Sequence, residues 1–98
     1  MHTHPAQIVF TEGERIEGSR RWQGRLLCPS ASIDTETGKP VTWTPIFDIE
    51  ERRDGLCHVT IQGGPDKGGR RYATHPNITA AQKAGTRWAG RRFRIPEN

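Results

Sequence analysis

The clearest alternation of apolar and polar residues in the chain is VTWTPIFDI at residues 41–49. Successive side chains of a β-strand point to opposite faces, so this pattern predicts a strand with one apolar and one polar face. Val41, Trp43, Phe47 and Ile49 would form the apolar face. Pro45 cannot donate a hydrogen bond to a neighbouring strand, which predicts that the strand lies at a sheet edge or is interrupted there.

Shorter segments on both sides of this stretch also match strand patterns. In one of them Trp22, Leu26 and Cys28 would share a face, and in another Cys57, Val59 and Ile61 would do so. Gly, Pro and Asp-Gly signals between the segments predict turns at residues 12–14, 37–39 and 52–55 and a loop at 63–69. The predicted strands are 7–10, 22–28, 41–49, 56–62, 70–74 and 91–95.

One segment, from Thr79 to Ala84 or slightly beyond, is predicted to be helical. Thr79 and the glutamine three residues later match a capping box, and Asn77 is an alternative N-cap. Gly85 would end the helix after two turns, or Gly90 would end it later.

The composition favours β-structure. Ile and Val together number 11, against 3 Leu and 1 Met, and stiff β-branched side chains fit a pleated surface. We therefore predict a mainly β or α+β fold: a compact antiparallel barrel or twisted sheet of five or six strands, with one short helix in the C-terminal third. The length of 98 residues suits a single domain over residues 1–98, with residues 1–6 frayed.

Several classes of protein do not fit the sequence. No run of about 18 apolar residues exists to span a membrane, and the first residues lack the apolar region of a secretory signal. Two cysteines, Cys28 and Cys57, are too few for a disulfide framework, and the sequence leaves open whether they form a single disulfide bond. The expected location is the cytoplasm, and neither a cofactor nor a metal is predicted, because no Cys-x-x-Cys or His-x₃-His spacing occurs.

Positive charge is concentrated in the second half of the chain. Residues 1–50 have a net charge of −2 and residues 51–98 a net charge of +6, and 12 of the 15 basic residues are Arg. The planar Arg side chain suits phosphate groups, and Tyr72 could stack on a base. These features predict a small, non-enzymatic nucleic-acid-binding accessory module, of a size and composition typical of proteins on phages and other mobile elements. The candidate residues are Arg70, Arg71, Tyr72, Arg87, Arg91, Arg92 and Arg94.

Two alternatives remain open. A protein-interaction module, homodimeric through the Pro45 strand edge or through an exposed aromatic residue, would use the same charges only as a solvated face. A small metal-independent ribonuclease would use His58 and His75 with Glu50 and a nearby cation from Arg70 or Arg71, because such chemistry needs a base, an acid and a positive charge. The glycine-rich loop at 63–69 could also offer backbone N–H groups to a phosphate.

Overall fold

The structure, a computed structural model, describes residues 2–62 and 70–97, and for residues 70–72 it describes the backbone alone. Antiparallel strands dominate it, with one α-helix late in the chain, which confirms the predicted fold class. The described part holds nine strands rather than five or six, because strands of two or three residues are too short to show alternation. They are β1 Thr3–Pro5, β2 Ile8–Ile16, β3 Ser19–Leu26, β4 Ile33–Asp34, β5 Lys39–Pro40, β6 Ile46–Glu51, β7 Cys57–Gln62, β8 Arg70–His75 and β9 Phe93–Pro96, and the helix is α1 Ile78–Arg92.

Five strands form the larger sheet in the order β2-β3-β6-β7-β8, and every neighbouring pair is antiparallel. Their order in the sheet follows their order along the chain, but β3 and β6 are separated by residues 27–45, which include β4 and β5. The other strands form a smaller sheet in the order β1-β9-β4-β5, which brings both ends of the described chain together.

The first hairpin, β2 with β3, is longer than the sequence predicts. The chain reverses at Glu17 and Gly18, whose φ angles are 50° and 82°, rather than at residues 12–14. At Gly13 the register of the two strands shifts, and a Cβ there would lie 3.2 Å from the carbonyl oxygen of Arg21. The glycine that suggested a turn therefore marks a bulge where two backbones approach closely.

Strand β6 lies at the centre of the larger sheet, between β3 and β7. Of the two alternatives predicted for Pro45, the interruption is confirmed, since residues 41–45 lie outside any strand and pairing begins at Ile46. The other alternative, a sheet edge, is wrong. Pro45 is fully buried and precedes the first paired residue, a position where no ladder hydrogen bond is needed. A dimer contact through a Pro45 edge therefore has no edge to use.

The core lies between one face of the larger sheet, here called the inner face, and α1. Phe47, Ile49 and Val59 are fully buried on this face, and Phe47 packs against Trp88 of the helix with ring centroids 5.5 Å apart. The predicted common face of Cys57, Val59 and Ile61 is confirmed, because the first two are fully buried and Ile61 packs against the core. Alternate residues of the same strands form the outer face, on the side away from α1.

Helix α1 has 15 residues and is longer than predicted. Asn77, the alternative N-cap, is the actual one, and its side chain accepts a hydrogen bond of 2.8 Å from the backbone N–H of Ala80. Gly85 does not end the helix, because it faces the core. A Cβ at Gly85 would lie 2.6 Å from Phe10 Cζ and 2.9 Å from two ring atoms of Phe47, so the missing side chain lets the helix lie close to the sheet.

The two chain ends meet in the smaller sheet. Residues 1–6 were expected to be frayed, but Thr3–Pro5 pairs with β9 as strand β1, and Ala6 is buried. Strand β9 begins at Phe93, two residues later than predicted, because the preceding residues form the last turn of α1. Phe93 points into the core as expected and is fully buried.

Both cysteines are free. Cys57 is buried, whereas Cys28 lies beyond the end of β3 and is exposed, so it does not share the inner face with Trp22 and Leu26 as predicted. Among the residues that the structure describes, no helix is long and apolar enough to cross a membrane.

Candidate nucleic-acid interface and a polar sheet face

Arg92, one of the predicted phosphate-binding residues, is bound to carboxylates. Its Nε and Nη2 donate to the two oxygens of Asp34 at 2.8 and 3.2 Å, and its Nη1 lies 2.9 Å from a Glu36 oxygen. Burial by itself raises the pKa of Asp34, but hydrogen bonds from Arg92 and from the backbone N–H of Glu36 outweigh it and bring that pKa below its ordinary value. Arg92 therefore joins the end of α1 to β4.

Arg94 is also engaged inside the protein. Its Nε donates to the hydroxyl of Thr3 at 3.1 Å, and its Nη2 donates to the Thr3 carbonyl oxygen at 3.0 Å. These bonds fasten β9 to β1. Of the candidate arginines, Arg92 and Arg94 are therefore each bound to a partner far away in sequence.

The exposed cations of α1 form a continuous set. Lys83, Arg87 and Arg91, here called the helical stripe, are spaced four residues apart and are all exposed. Four residues advance a helix by about 6 Å and return to nearly the same side, so the stripe spans about 12 Å of the helix surface. Within the described part of the chain, no carboxylate forms an ion pair with any of the three.

A groove of ≈ 430 Å³ runs beside the helical stripe. Phe10 contributes its apolar wall, and this ring lies against Gly24 and Gly85, where a Cβ would approach it to 2.7 and 2.6 Å. Two glycines on different elements thus make room for one aromatic ring at the border between core and surface. The other lining residues are Thr79, Gln82, Lys83, Thr86 and Arg87.

For three of the candidate residues the structure describes the backbone and not the side chain. Arg70, Arg71 and Tyr72 belong to β8, an edge strand of the larger sheet, and only their backbone is described. The loop at 63–69 lies outside the described residues altogether.

Lys83 was not among the candidate residues selected from the sequence. Lys83, Arg87 and Arg91 are four residues apart, but this spacing places them on one side only if the helix continues past Gly85. With the predicted helix ending at Ala84 or soon after, Arg87 and Arg91 lie outside it and the common side is not predicted.

The outer face of the larger sheet carries a second polar group. Arg21, Glu50 and His58 lie directly opposite one another on β3, β6 and β7, and are here called the outer row. Cβ atoms of residues directly opposite each other are about 5 Å apart, so the row spans about 10 Å. The hydroxyl of Thr74, the next residue across, lies 3.2 Å from His58 Nδ1.

Asp48 lies beside the outer row and is only 5% exposed. Its Oδ2 accepts hydrogen bonds from Arg21 Nη1 at 2.9 Å and from Gln62 Nε2 at 3.0 Å, whereas Oδ1 is buried and has no hydrogen-bond partner among the described residues. Burial raises the pKa of Asp48, and the charge and hydrogen bond of Arg21 offset part of this effect. An unpaired buried acceptor costs about 1–3 kcal/mol, so a feature of this kind calls for an explanation.

The two histidines proposed for ribonuclease chemistry do not come together. His75 lies opposite Cys57 and shares the inner face, whereas His58 alternates with Cys57 and lies on the outer face. Glu50, the carboxylate suggested with them, does lie directly opposite His58. No group of three or more His, Cys, Asp or Glu among the described residues is arranged to hold a metal ion.

Comparison of the chain with models of known protein families, with curated proteins and with solved structures gave no match.

Proposed function

We propose that the protein binds single-stranded nucleic acid through the helical stripe of Lys83, Arg87 and Arg91. The observation that carries the proposal is the regular spacing of three exposed cations along one side of α1, with no carboxylate paired to them among the described residues. A helix surface with this charge attracts a phosphate backbone without reading its sequence.

The groove beside the stripe favours a single strand over a duplex. Its wall combines an aromatic ring, Phe10, with polar and cationic side chains of α1. Unpaired bases can approach such a surface, and proteins that bind single strands without sequence preference combine cations with aromatic groups in this way. In a duplex the bases are stacked and paired, and the same groove would remain empty.

Part of the positive charge of α1 has a structural explanation that does not involve nucleic acid. Arg91 and Arg92 lie in the last turn, where positive charge stabilises a helix through its dipole. That explanation does not apply to Lys83, which lies in the first half of α1.

The two unbridged cysteines suit a reducing compartment, and the proposal places the protein in the cytoplasm.

The test is the affinity for a fluorescein-labelled single-stranded oligonucleotide, measured by anisotropy at several salt concentrations. Three phosphate contacts to a single strand predict a slope of log K against log salt of about −2, since each contact contributes about −0.7. We expect affinity in the micromolar range at low salt. Absence of binding at low salt would refute the proposal.

A matched pair of variants separates the stripe from net charge. Reversing Lys83, Arg87 and Arg91 to Glu changes the net charge from +4 to −2, and so does reversing three scattered exposed cations. The expected result is at least a tenfold loss of affinity for the first variant and less than a threefold loss for the second. Equal losses would show that net charge alone acts. The control cations are Arg15, Lys39 and Arg52.

A further inference from the structure

We propose that the outer row of Arg21, Glu50 and His58 cleaves RNA. The row lies on the face of the larger sheet opposite α1, so this site is separate from the helical stripe and does not depend on the proposed binding there. Three chemical groups stand side by side in it: a carboxylate, an imidazole and a guanidinium.

RNA cleavage by transesterification needs these groups because the substrate supplies its own nucleophile, the 2′-hydroxyl. The reaction requires a base to accept the hydroxyl proton, an acid to protonate the leaving oxygen, and a cation to stabilise the extra negative charge on the phosphate. Glu50 and His58 lie directly opposite each other on adjacent strands, with Cβ atoms about 5 Å apart, so their side chains can reach the two sides of one phosphate group.

The reaction needs no reactant other than the RNA itself. Glu50 accepts the proton of the 2′-hydroxyl while the 2′-oxygen forms a bond to phosphorus. The bond from phosphorus to the 5′-oxygen breaks, and protonated His58 gives its proton to that oxygen. The products are a 2′,3′-cyclic phosphate and a free 5′-hydroxyl, and Arg21 pairs with the phosphate oxygens while their charge increases.

Arg21 is held ready for this role by the structure. Its side chain is 54% exposed, yet Nη1 is fixed at 2.9 Å from Asp48 Oδ2 and Nη2 lies 3.4 Å from Glu50. Asp48 thus acts as a positioning residue, since its hydrogen bond from a place beside the row sets the direction of the Arg21 guanidinium.

The unpaired Oδ1 of Asp48 is an independent sign that this face meets a ligand. A carboxylate oxygen is buried there without a hydrogen-bond donor among the described residues, beside an exposed guanidinium. A hydroxyl or amino group of a substrate beside Arg21 would donate to this oxygen while Arg21 keeps its bond to Asp48 Oδ2.

The experiment incubates excess protein with a short labelled RNA and with the same strand carrying one 2′-deoxynucleotide at the cleaved position. We expect cleavage of the RNA to a cyclic phosphate and none at the deoxynucleotide. Absence of cleavage of the RNA overturns the proposal, whether or not the protein binds oligonucleotides through α1.

Matched variants identify the source of any activity. Glu50→Gln and His58→Ala should each lower the rate by about 100-fold or more, the usual contribution of acid–base catalysis. Glu14→Gln and His4→Ala change exposed residues of the same types and should leave the rate unchanged. Cleavage that persists in Glu50→Gln and His58→Ala comes from a contaminant and overturns the proposal.

Two further variants complete the design. Asp48→Asn should lower the cleavage rate at saturating protein at least tenfold and leave the half-saturating protein concentration within about threefold, whereas a merely structural Asp48 would change only the melting temperature. Anisotropy with the helical-stripe variant measures binding through α1, and product analysis with Glu50→Gln measures cleavage, so loss of binding and loss of cleavage are distinguishable. Circular dichroism confirms that each variant is folded, and Glu50→Gln preserves the shape of the side chain if His58→Ala does not fold.

Discussion

Replacing Gly85 by alanine should destabilise the protein, although alanine is the better helix former. A Cβ at this position would lie 2.6 Å from Phe10 Cζ and 2.9 Å from each of two ring atoms of Phe47. Distances below 3.0 Å force the helix or the rings to move. Phe47 is fully buried, and a close-packed core leaves its ring no empty space to enter.

The size of the effect follows from two opposing contributions. Alanine gains about 1 kcal/mol in a helix relative to glycine, and overpacking a core costs about 1–3 kcal/mol. Three contacts below 3.0 Å, two of them to a fully buried ring, place the cost at the upper end. We therefore expect a net loss of about 2 kcal/mol in the free energy of unfolding, or a fall of about 10 °C in Tm for a domain of this size.

Gly90→Ala is the matched control within the same helix. Its Cβ would meet only Pro5 Cβ, at 3.1 Å, so the gain in helix propensity is opposed by one mild contact. Urea denaturation followed by tryptophan fluorescence gives both free energies, and Gly90→Ala should remain within about 1 kcal/mol of the wild type. The reasoning fails if Gly85→Ala is as stable as the wild type, or if the two variants lose the same amount.

Two other substitutions test local contacts by the same urea assay. Asn77→Ala should lose about 1 kcal/mol because Asn77 accepts the Ala80 N–H, while Thr79→Ala should be close to neutral; a larger loss for Thr79→Ala would assign the cap to the wrong residue. Asp34→Asn should cost about 2 kcal/mol at neutral pH through the hydrogen bonds from Arg92. The pKa of Asp34 is below its ordinary value of 3.8 in the folded state, so this contribution is complete above that value and is lost as the pH falls through the folded pKa. The difference between wild type and Asp34→Asn should therefore shrink in acid, and a constant difference from pH 7 to pH 2 would contradict the assignment.

The candidate sites show how far sequence reasoning could reach. The sequence groups Glu50 and His58 in one candidate ribonuclease site, but together with His75 and with Arg70 or Arg71 rather than with Arg21. Alternation along one strand predicts which of its residues share a face, but the register between adjacent strands determines which residues lie opposite each other. The pairing of Arg21 with Glu50 depends on the β3–β6 register, and their sequence separation of 29 residues leaves no local signal.

The arginines of the last segment were the least predictable feature. Arg92 binds Asp34 across a separation of 58 residues, and Arg94 binds Thr3 across 91. A sum of charges along the chain treats every arginine alike. Whether a guanidinium faces solvent or a carboxylate depends on the element that folding brings beside it.

Local sequence patterns suffice to predict the β-rich class and the inward face of Cys57, Val59 and Ile61, because side-chain alternation and β-branched content act over a few neighbouring residues. Tertiary structure decided the length of α1, since Gly85 looks like a helix end until Phe10 and Phe47 are seen to occupy the space where its side chain would be. The helical stripe and the outer row both depend on such long-range packing, which local patterns do not encode.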